Sequence, residues 1–194
     1  ADYDMINIVG LPYSFEGKIY NCAAVFQKGK LLALITKKNI PNYSEFYEAR
    51  HFTPGIKNSQ TIFNGKPVPI GTNYIFNCKN MPEFIFGIEI CEDLWVTDSP
   101  SIMLAKEGAN IIVNLSASND IIGKSDYRRI IVKAQSGSLL CTYMYANAGI
   151  GESTTDMVYS GHSIISENGA LSVESERFSN ILKFHLTLKC MMYK

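Results

Sequence analysis

The stretch Glu83-Phe84-Ile85-Phe86-Gly87-Ile88-Glu89-Ile90-Cys91-Glu92-Asp93-Leu94-Trp95 decides how this chain reads. Glu83 to Ile90 has the pattern of a buried strand, and Ser99 to Gly108 then reads as a helix, with a Ser N-cap, Pro at the first helical position and a closing Gly. A cysteine between such a strand and helix sits where a nucleophile can be held at a sharp turn, with backbone N–H groups aimed at a reacting carbonyl. Taken alone, a strand-end cysteine is more often a small buried apolar residue. The neighbouring acids Glu92 and Asp93 also disfavour a thiolate, so a cation must offset them. Lys37 is the best supplier, because it ends the strand Lys30 to Ile35 just before a turn directed by Pro41.

Outward from this centre, strand-like and helix-like segments alternate. Met5 to Leu11 is a short apolar run ended by Pro12. Ile19 to Phe26 and Lys30 to Ile35 flank a turn at Gln27-Lys28-Gly29 and read as a hairpin. Pro41 to Arg50 is polar and aromatic, and a Gly-, Asn- and Pro-rich loop is expected over Thr53 to Thr72. Asn110 to Leu115 reads as a second buried strand. Lys124 to Leu140 has helical spacing, with Ile130, Ile131, Ala134 and Leu139 on the apolar side, and Cys141 to Ala146 follows as a strand. Tyr159 to Ile165 and Gly169 to Glu176 flank Glu167-Asn168-Gly169 as a last hairpin. The whole is an α/β domain with a mixed sheet covered by helices.

Composition narrows the function classes. The chain has 194 residues, 46% of them hydrophobic, enough for one domain with a proper core. Eighteen Lys and Arg balance eighteen Asp and Glu, so no global field steers it toward nucleic acid or an anionic membrane. Five scattered cysteines (Cys22, Cys78, Cys91, Cys141, Cys190) give neither a disulfide framework nor zinc-site spacing, and favour a reducing cytosol. His51, His162 and His185 show no metal pattern. No apolar run approaches the ~20 residues of a membrane span, so a soluble, unprocessed, cytoplasmic protein is expected.

Two strings carry a resemblance. Lys37-Lys38-Asn39-Ile40-Pro41-Asn42-Tyr43-Ser44-Glu45-Phe46-Tyr47-Glu48-Ala49-Arg50-His51-Phe52 resembles the lysine motif of the carbon–nitrogen hydrolase (nitrilase) superfamily, and Gly87 to Trp95 resembles its cysteine motif. With Asn114-Leu115-Ser116-Ala117-Ser118 and Ser153 to Ser163, they are similar to one branch, the glutaminase domains of glutamine-dependent NAD synthetases. The resemblance runs from about Ile8 to Phe178 and implies a nitrilase-like four-layer α-β-β-α sandwich. It implies Cys91 as the nucleophile that attacks the glutamine side-chain amide to give a thioester. Lys37 is implied as the stabiliser of the oxyanion together with the Glu92 N–H. Lys38 is the rival for that lysine; adjacent strand side chains point to opposite faces, and the spacing to Pro41 favours Lys37. Glu92 and Ser118 are implied to grip the amino-acid end of glutamine, Tyr43 is a wall or hydrogen-bond partner, and Glu48 is the orienting second glutamate. Each has a structural alternative: Glu92 could cap a helix, Ser118 could end a strand, and Glu48 could pair with Arg50 or Lys37. Trp95 reads as a core or interface residue, and Arg128 and Arg129 as a solvated helix face, with the cleft entrance or an assembly surface as the alternative.

The resemblance also implies parts that this sequence does not display. The family's general-base glutamate lies in an upstream strand-end motif that is not matched, so the sandwich is expected to lack its N-terminal strand–helix portion. Glu16, the sole glutamate before Lys37, is a hairpin-tip residue and a poor base. Weak or absent turnover follows, since such groups contribute ~10²–10⁴-fold. The domain is expected over residues 1–178, with a divergent tail over 179–194. It needs no cofactor or metal of its own. ATP and Mg belong to a synthetase domain, absent here, which is the expected partner and uses the ammonia to convert nicotinic acid adenine dinucleotide to NAD. An open sheet edge and an uncovered apolar face point to association, as a homo-oligomer. Two rival readings are a stand-alone amidase of the same superfamily and a non-catalytic remnant serving as an assembly module.

Overall fold

The computed structural model describes residues 5–179; the tail beyond Ser179, with His185 and Cys190, lies outside them. In chain order the strands are β1 (Ile6–Phe15), β2 (Lys18–Gln27), β3 (Lys30–Thr36), β4 (Asn42–Tyr43), β5 (Phe46–Tyr47), β6 (Ser59–Phe63), β7 (Lys66–Gly71), β8 (Ile75–Cys78) and β9 (Met81–Ile90). Helix α1 (Pro100–Lys106), β10 (Ile111–Ser116), α2 (Lys124–Leu139), β11 (Thr142–Asn147), β12 (Ile164–Glu167) and β13 (Ala170–Glu174) complete the set. Two sheets result, ordered β1-β2-β3-β7-β6 and β13-β12-β11-β10-β9-β8, with β4–β5 as a separate ribbon.

The sheets pack face to face. Ala23, Val25, Ala33 and Ile35 of the first meet Phe86, Ile88, Ile90 and Ile111 of the second, as alternating strand faces require. On its other face the second sheet buries Ile112, Tyr143, Tyr145 and Ile164 against Leu104 of α1 and Val132 of α2. Among the described residues the layers are therefore helix, sheet, sheet. The outer face of the first sheet gathers Ala24, Leu34 and Ile70, with Leu11, Tyr13 and Phe15 packed against them. This is the nitrilase-like sandwich without a described fourth layer.

Four hairpins turn through a residue and a glycine that both have positive φ, at Glu16-Gly17, Lys28-Gly29, Asn64-Gly65 and Asn168-Gly169, the geometry that matches strand twist. Three expectations are corrected. Pro12 does not end β1; it pairs with Asn21 and is tolerated because β1 is an edge strand, where no second ladder needs its missing N–H. The stretch from Thr53 to Thr72 is not one loop but contains the β6–β7 hairpin. Helix α2 buries Ser125, Arg128, Val132 and Ser136, while Ile130 and Ala134 are exposed. The serines let the helix sit close: Ser136 Oγ donates to the Cys141 carbonyl, and a Cβ on Gly137 would lie 3.2 Å from the Gly169 Cα.

Candidate active site

Cys91 terminates β9 with φ +48°, opening a short 3₁₀ turn over Cys91–Leu94. A left-handed non-glycine residue outside a hairpin costs about 1–3 kcal/mol and persists only when its surroundings over-determine it. They do so here. The Cys91 N–H donates to Asn114 Oδ1 at 3.0 Å. Asn114 Nδ2 donates to the Tyr143 hydroxyl, which donates to Glu89. Glu89 also accepts from Ser99 Oγ at 2.6 Å and the Ser101 N–H at 2.8 Å, so it caps α1 in place of the Ser99 side chain expected to do so. Burial pushes the Glu89 carboxyl above its usual range.

Asp93 fastens the elbow to the opposite sheet. It is 1% exposed and accepts from the Ile90 N–H (3.1 Å), the Lys38 N–H (3.3 Å), and both the N–H and the side-chain amide of Asn39 (2.8 Å each). The two acids beside Cys91 thus have different fates: Asp93 turns away into a cage of donors, and Glu92 faces the cleft. Burial raises the carboxyls of both.

The lysine pair separates as strand alternation requires. Lys37 turns inward, its side chain fully buried, with Nζ 2.8 Å from both Glu48 oxygens. Lys38 points outward to Asp98 at 2.6 Å. Asn21 Nδ2 donates to Glu48 at 3.3 Å. The backbone of Lys37 is gripped between the Asn21 carbonyl and the Gly55 N–H. A Cβ on Gly55 would meet the Lys37 carbonyl at 2.7 Å, so only glycine permits that approach.

A cleft of about 290 Å³ opens at Cys91, lined by Tyr43, Glu45, Phe46, Glu92, Trp95, Ser118 and Lys124, among others. Tyr43 donates to both Glu92 oxygens, at 3.1 and 2.9 Å. Lys37 and Glu48 lie outside the lining, although the Lys37 charge reaches Glu92 and opposes the burial that raises its carboxyl. Ser118 is fixed by Asn147, whose side-chain amide takes its N–H and donates to its carbonyl. Of the six residues proposed from sequence, four therefore line the cleft and two stand behind it as an ion pair of a buried lysine and a half-buried glutamate.

Sequence reasoning missed Lys124, Asp93 and Asn114. The Lys124 ammonium lies 5.3 Å from the Phe46 ring and 5.6 Å from the Trp95 ring, and donates to Asn119 Oδ1. Burial pushes it below the usual lysine range. A signal was available: Lys124 is the first residue of α2, where the helix dipole disfavours a cation, and such a placement calls for a reason. Trp95 is a cleft wall as well as a packed residue. Arg128, read as part of a solvated face, is fully buried.

The carbon–nitrogen hydrolase family model matches residues 1–189. The glutamine-dependent NAD(+) synthetase of Mycobacterium bovis is 42% identical over 179 residues, covering 92% of this chain and 26% of that protein. The protein of the same name from Aquifex aeolicus is 33% identical over 178 residues, 91% of this chain and 28% of its own length. The chain thus spans about a quarter of the length of these relatives. The crystal structure of a glutamine-dependent NAD(+) synthetase from Cytophaga hutchinsonii superposes with a TM-score of 0.79 at 30% identity, covering 91% of this chain and 28% of that one. A carbon–nitrogen hydrolase from Helicobacter pylori shares the fold at a TM-score of 0.70 and 20% identity, over 90% of this chain and 59% of that one.

Proposed function

Because the chain belongs to the carbon–nitrogen hydrolase family, we propose that its cleft binds free glutamine and that Cys91 removes the side-chain amide nitrogen as ammonia. The observation that carries this reading is the presence of a carboxylate, Glu92, and an ammonium, Lys124, in the same cleft as Cys91. A free amino acid presents one ammonium and one carboxylate, and each needs an opposite charge once water is displaced. Glu92 takes the ammonium, Lys124 takes the carboxylate, and the carboxamide is left to reach Cys91.

The thiolate sulfur adds to the carboxamide carbon, and the resulting oxyanion is stabilised by the Lys37 ammonium and the Glu92 N–H. The C–N bond breaks as the nitrogen takes the proton that the Cys91 thiol gave up and leaves as ammonia, giving a thioester. Water then adds to the thioester carbon, the C–S bond breaks, and the thiol and glutamate are released, so the sum is glutamine plus water to glutamate plus ammonia. Glu48, with both oxygens on Lys37, orients that lysine. Glu16 sits in the β1–β2 turn and has no place among the cleft residues. Glu16 is therefore no candidate for the base that takes the thiol proton, and the thioester stage is where the chemistry is read. In a longer protein the ammonia serves the synthesis of NAD, the activity for which the relatives are named.

The test is intact mass after incubation with the glutamine analogue 6-diazo-5-oxo-norleucine. One adduct on the wild-type chain and none on Cys91→Ala is the expected result. A folded chain that iodoacetamide alkylates but the analogue does not would refute a formed glutamine pocket.

A further inference from the structure

Behind the cleft wall lies a chain of ionisable groups that the chemistry above does not use, Arg128 and His162 buried and Glu174 and Arg129 half-buried. Arg128, in the second turn of α2, donates through Nη2 to Ser118 Oγ at 3.3 Å and to the Asn119 carbonyl at 3.2 Å. Its Nη1 lies 2.6 Å from His162 Nδ1. A guanidinium has donors only, so this contact requires the lone pair on Nδ1 and places the histidine proton on Nε2. Nε2 lies 2.6 Å from Glu174 Oε1, and Glu174 is held ionised by Arg129, whose Nε donates to it at 2.8 Å. His162 is therefore a neutral link, faced by Arg128 and Arg129 from α2 and by Glu174 from β13. Burial, the largest influence, disfavours its charged form.

This arrangement is a poor way to gain stability. Arg128 Nε has no partner among the described residues, and an incompletely satisfied buried cation is costly. What the guanidinium does hold is the cleft wall: Ser118, and Asn119, whose Oδ1 accepts from the Lys124 ammonium and whose Nδ2 donates to Glu45.

We propose that Arg128 is a positioning residue of the cleft and that His162 makes its grip depend on pH. Neutral His162 keeps the guanidinium against Ser118 and Asn119. A proton on Nδ1 converts the accepting nitrogen into a donor facing other donors, drives the guanidinium off, and frees Asn119 to let Lys124 drift from where it meets the substrate carboxylate. The proposal rests on the glutamine reading above.

The experiment measures the rate of Cys91 labelling by 6-diazo-5-oxo-norleucine, divided by the rate with iodoacetamide at the same pH so that thiolate content cancels. In the wild-type chain this ratio is flat near neutrality and falls several-fold as pH drops below about 6.5, because burial moves the proton uptake of His162 below the usual histidine range. His162→Gln offers a carbonyl to Arg128 and an N–H to Glu174 without a titrating site. Its acid loss shrinks to what Glu92 and Glu45 contribute, and its ratio near neutrality exceeds that of His162→Leu. Arg128→Lys, checked for folding by circular dichroism, lowers the ratio at every pH. A wild-type pH profile retained in His162→Gln, or a wild-type ratio in His162→Leu, overturns the proposal and leaves the glutamine reading standing. No analogue labelling of a wild-type chain that iodoacetamide still alkylates overturns the glutamine reading, and the proposal with it.

Discussion

Replacing Asp93 by Asn should damage both stability and the site, by an amount that follows from its hydrogen bonds. Each carboxylate oxygen serves two N–H donors: Oδ1 those of Asn39, and Oδ2 those of Ile90 and Lys38. An asparagine keeps one acceptor oxygen and turns an NH₂ toward the other pair, so two backbone N–H groups are stranded in the interior. At about 1–3 kcal/mol for each unsatisfied donor, less what is regained by no longer burying a charge, the loss comes to about 3 kcal/mol. With a urea slope of ~2 kcal/mol/M, the midpoint shifts by about 1.5 M. The Ile90 N–H is one of the groups released, and Ile90 immediately precedes the left-handed Cys91. Analogue labelling should therefore fall more than iodoacetamide labelling, because the thiol survives while its alignment does not. A midpoint shift under about 0.25 M, or equal loss with both reagents, would refute the idea that Asp93 joins the elbow to the lysine loop.

Lys124→Met keeps an apolar stem between Phe46 and Trp95 and removes the cation. Losing a charged hydrogen bond of about 1.5–3 kcal/mol lowers analogue labelling roughly ten- to hundredfold and leaves iodoacetamide labelling unchanged; equal labelling by both would remove the carboxylate from Lys124. For Glu89, raised by burial, the native state holds a proton that the unfolded chain releases near pH ~4.3. Its stabilising effect is complete below that value and is lost as pH rises through the native one. Glu89→Gln cannot titrate, so its stability relative to wild type improves as pH rises above about 4.5 in urea melts; parallel pH profiles would count against a raised Glu89.

Much of the fold was legible because it is local. Strand, cysteine and helix follow one another in sequence, and the turns at Lys28-Gly29 and Asn168-Gly169 announce their hairpins. Lys37 and Lys38 are separated by alternation alone. The β6–β7 hairpin was missed because Pro67 and Pro69 argue against a strand, yet β7 pairs with β3 only at Ile70 and Gly71, beyond both prolines. Helix α2 was half misread: Ile131 and Leu139 pack against the core around Val132 as expected, but Ile130 and Ala134 face out, because the rest of the buried face is polar and docks through serine hydroxyls and Arg128. Asp93 and Asn114 were not legible as site residues because their partners lie 54 and 23 residues away in sequence, and polar residues declare a role only once the fold supplies the partner; Lys124 was signalled only by a cation at a helix start.

The parallel join between β3 and β7 covers two residue pairs, Leu34 with Ile70 and Ile35 with Gly71, whereas β1 and β2 are matched over all ten positions of each strand. So narrow a seam makes the β6–β7 hairpin a leaf hinged on the body of its sheet, able to open by sub-global unfolding. Its amides should exchange with solvent well before those of β9 and β10. The leaf's root lies at Gly71 and Thr72, against the segment that holds Gly55 to the Lys37 carbonyl, so its breathing loosens the lysine side of the cleft while the cysteine elbow stays closed.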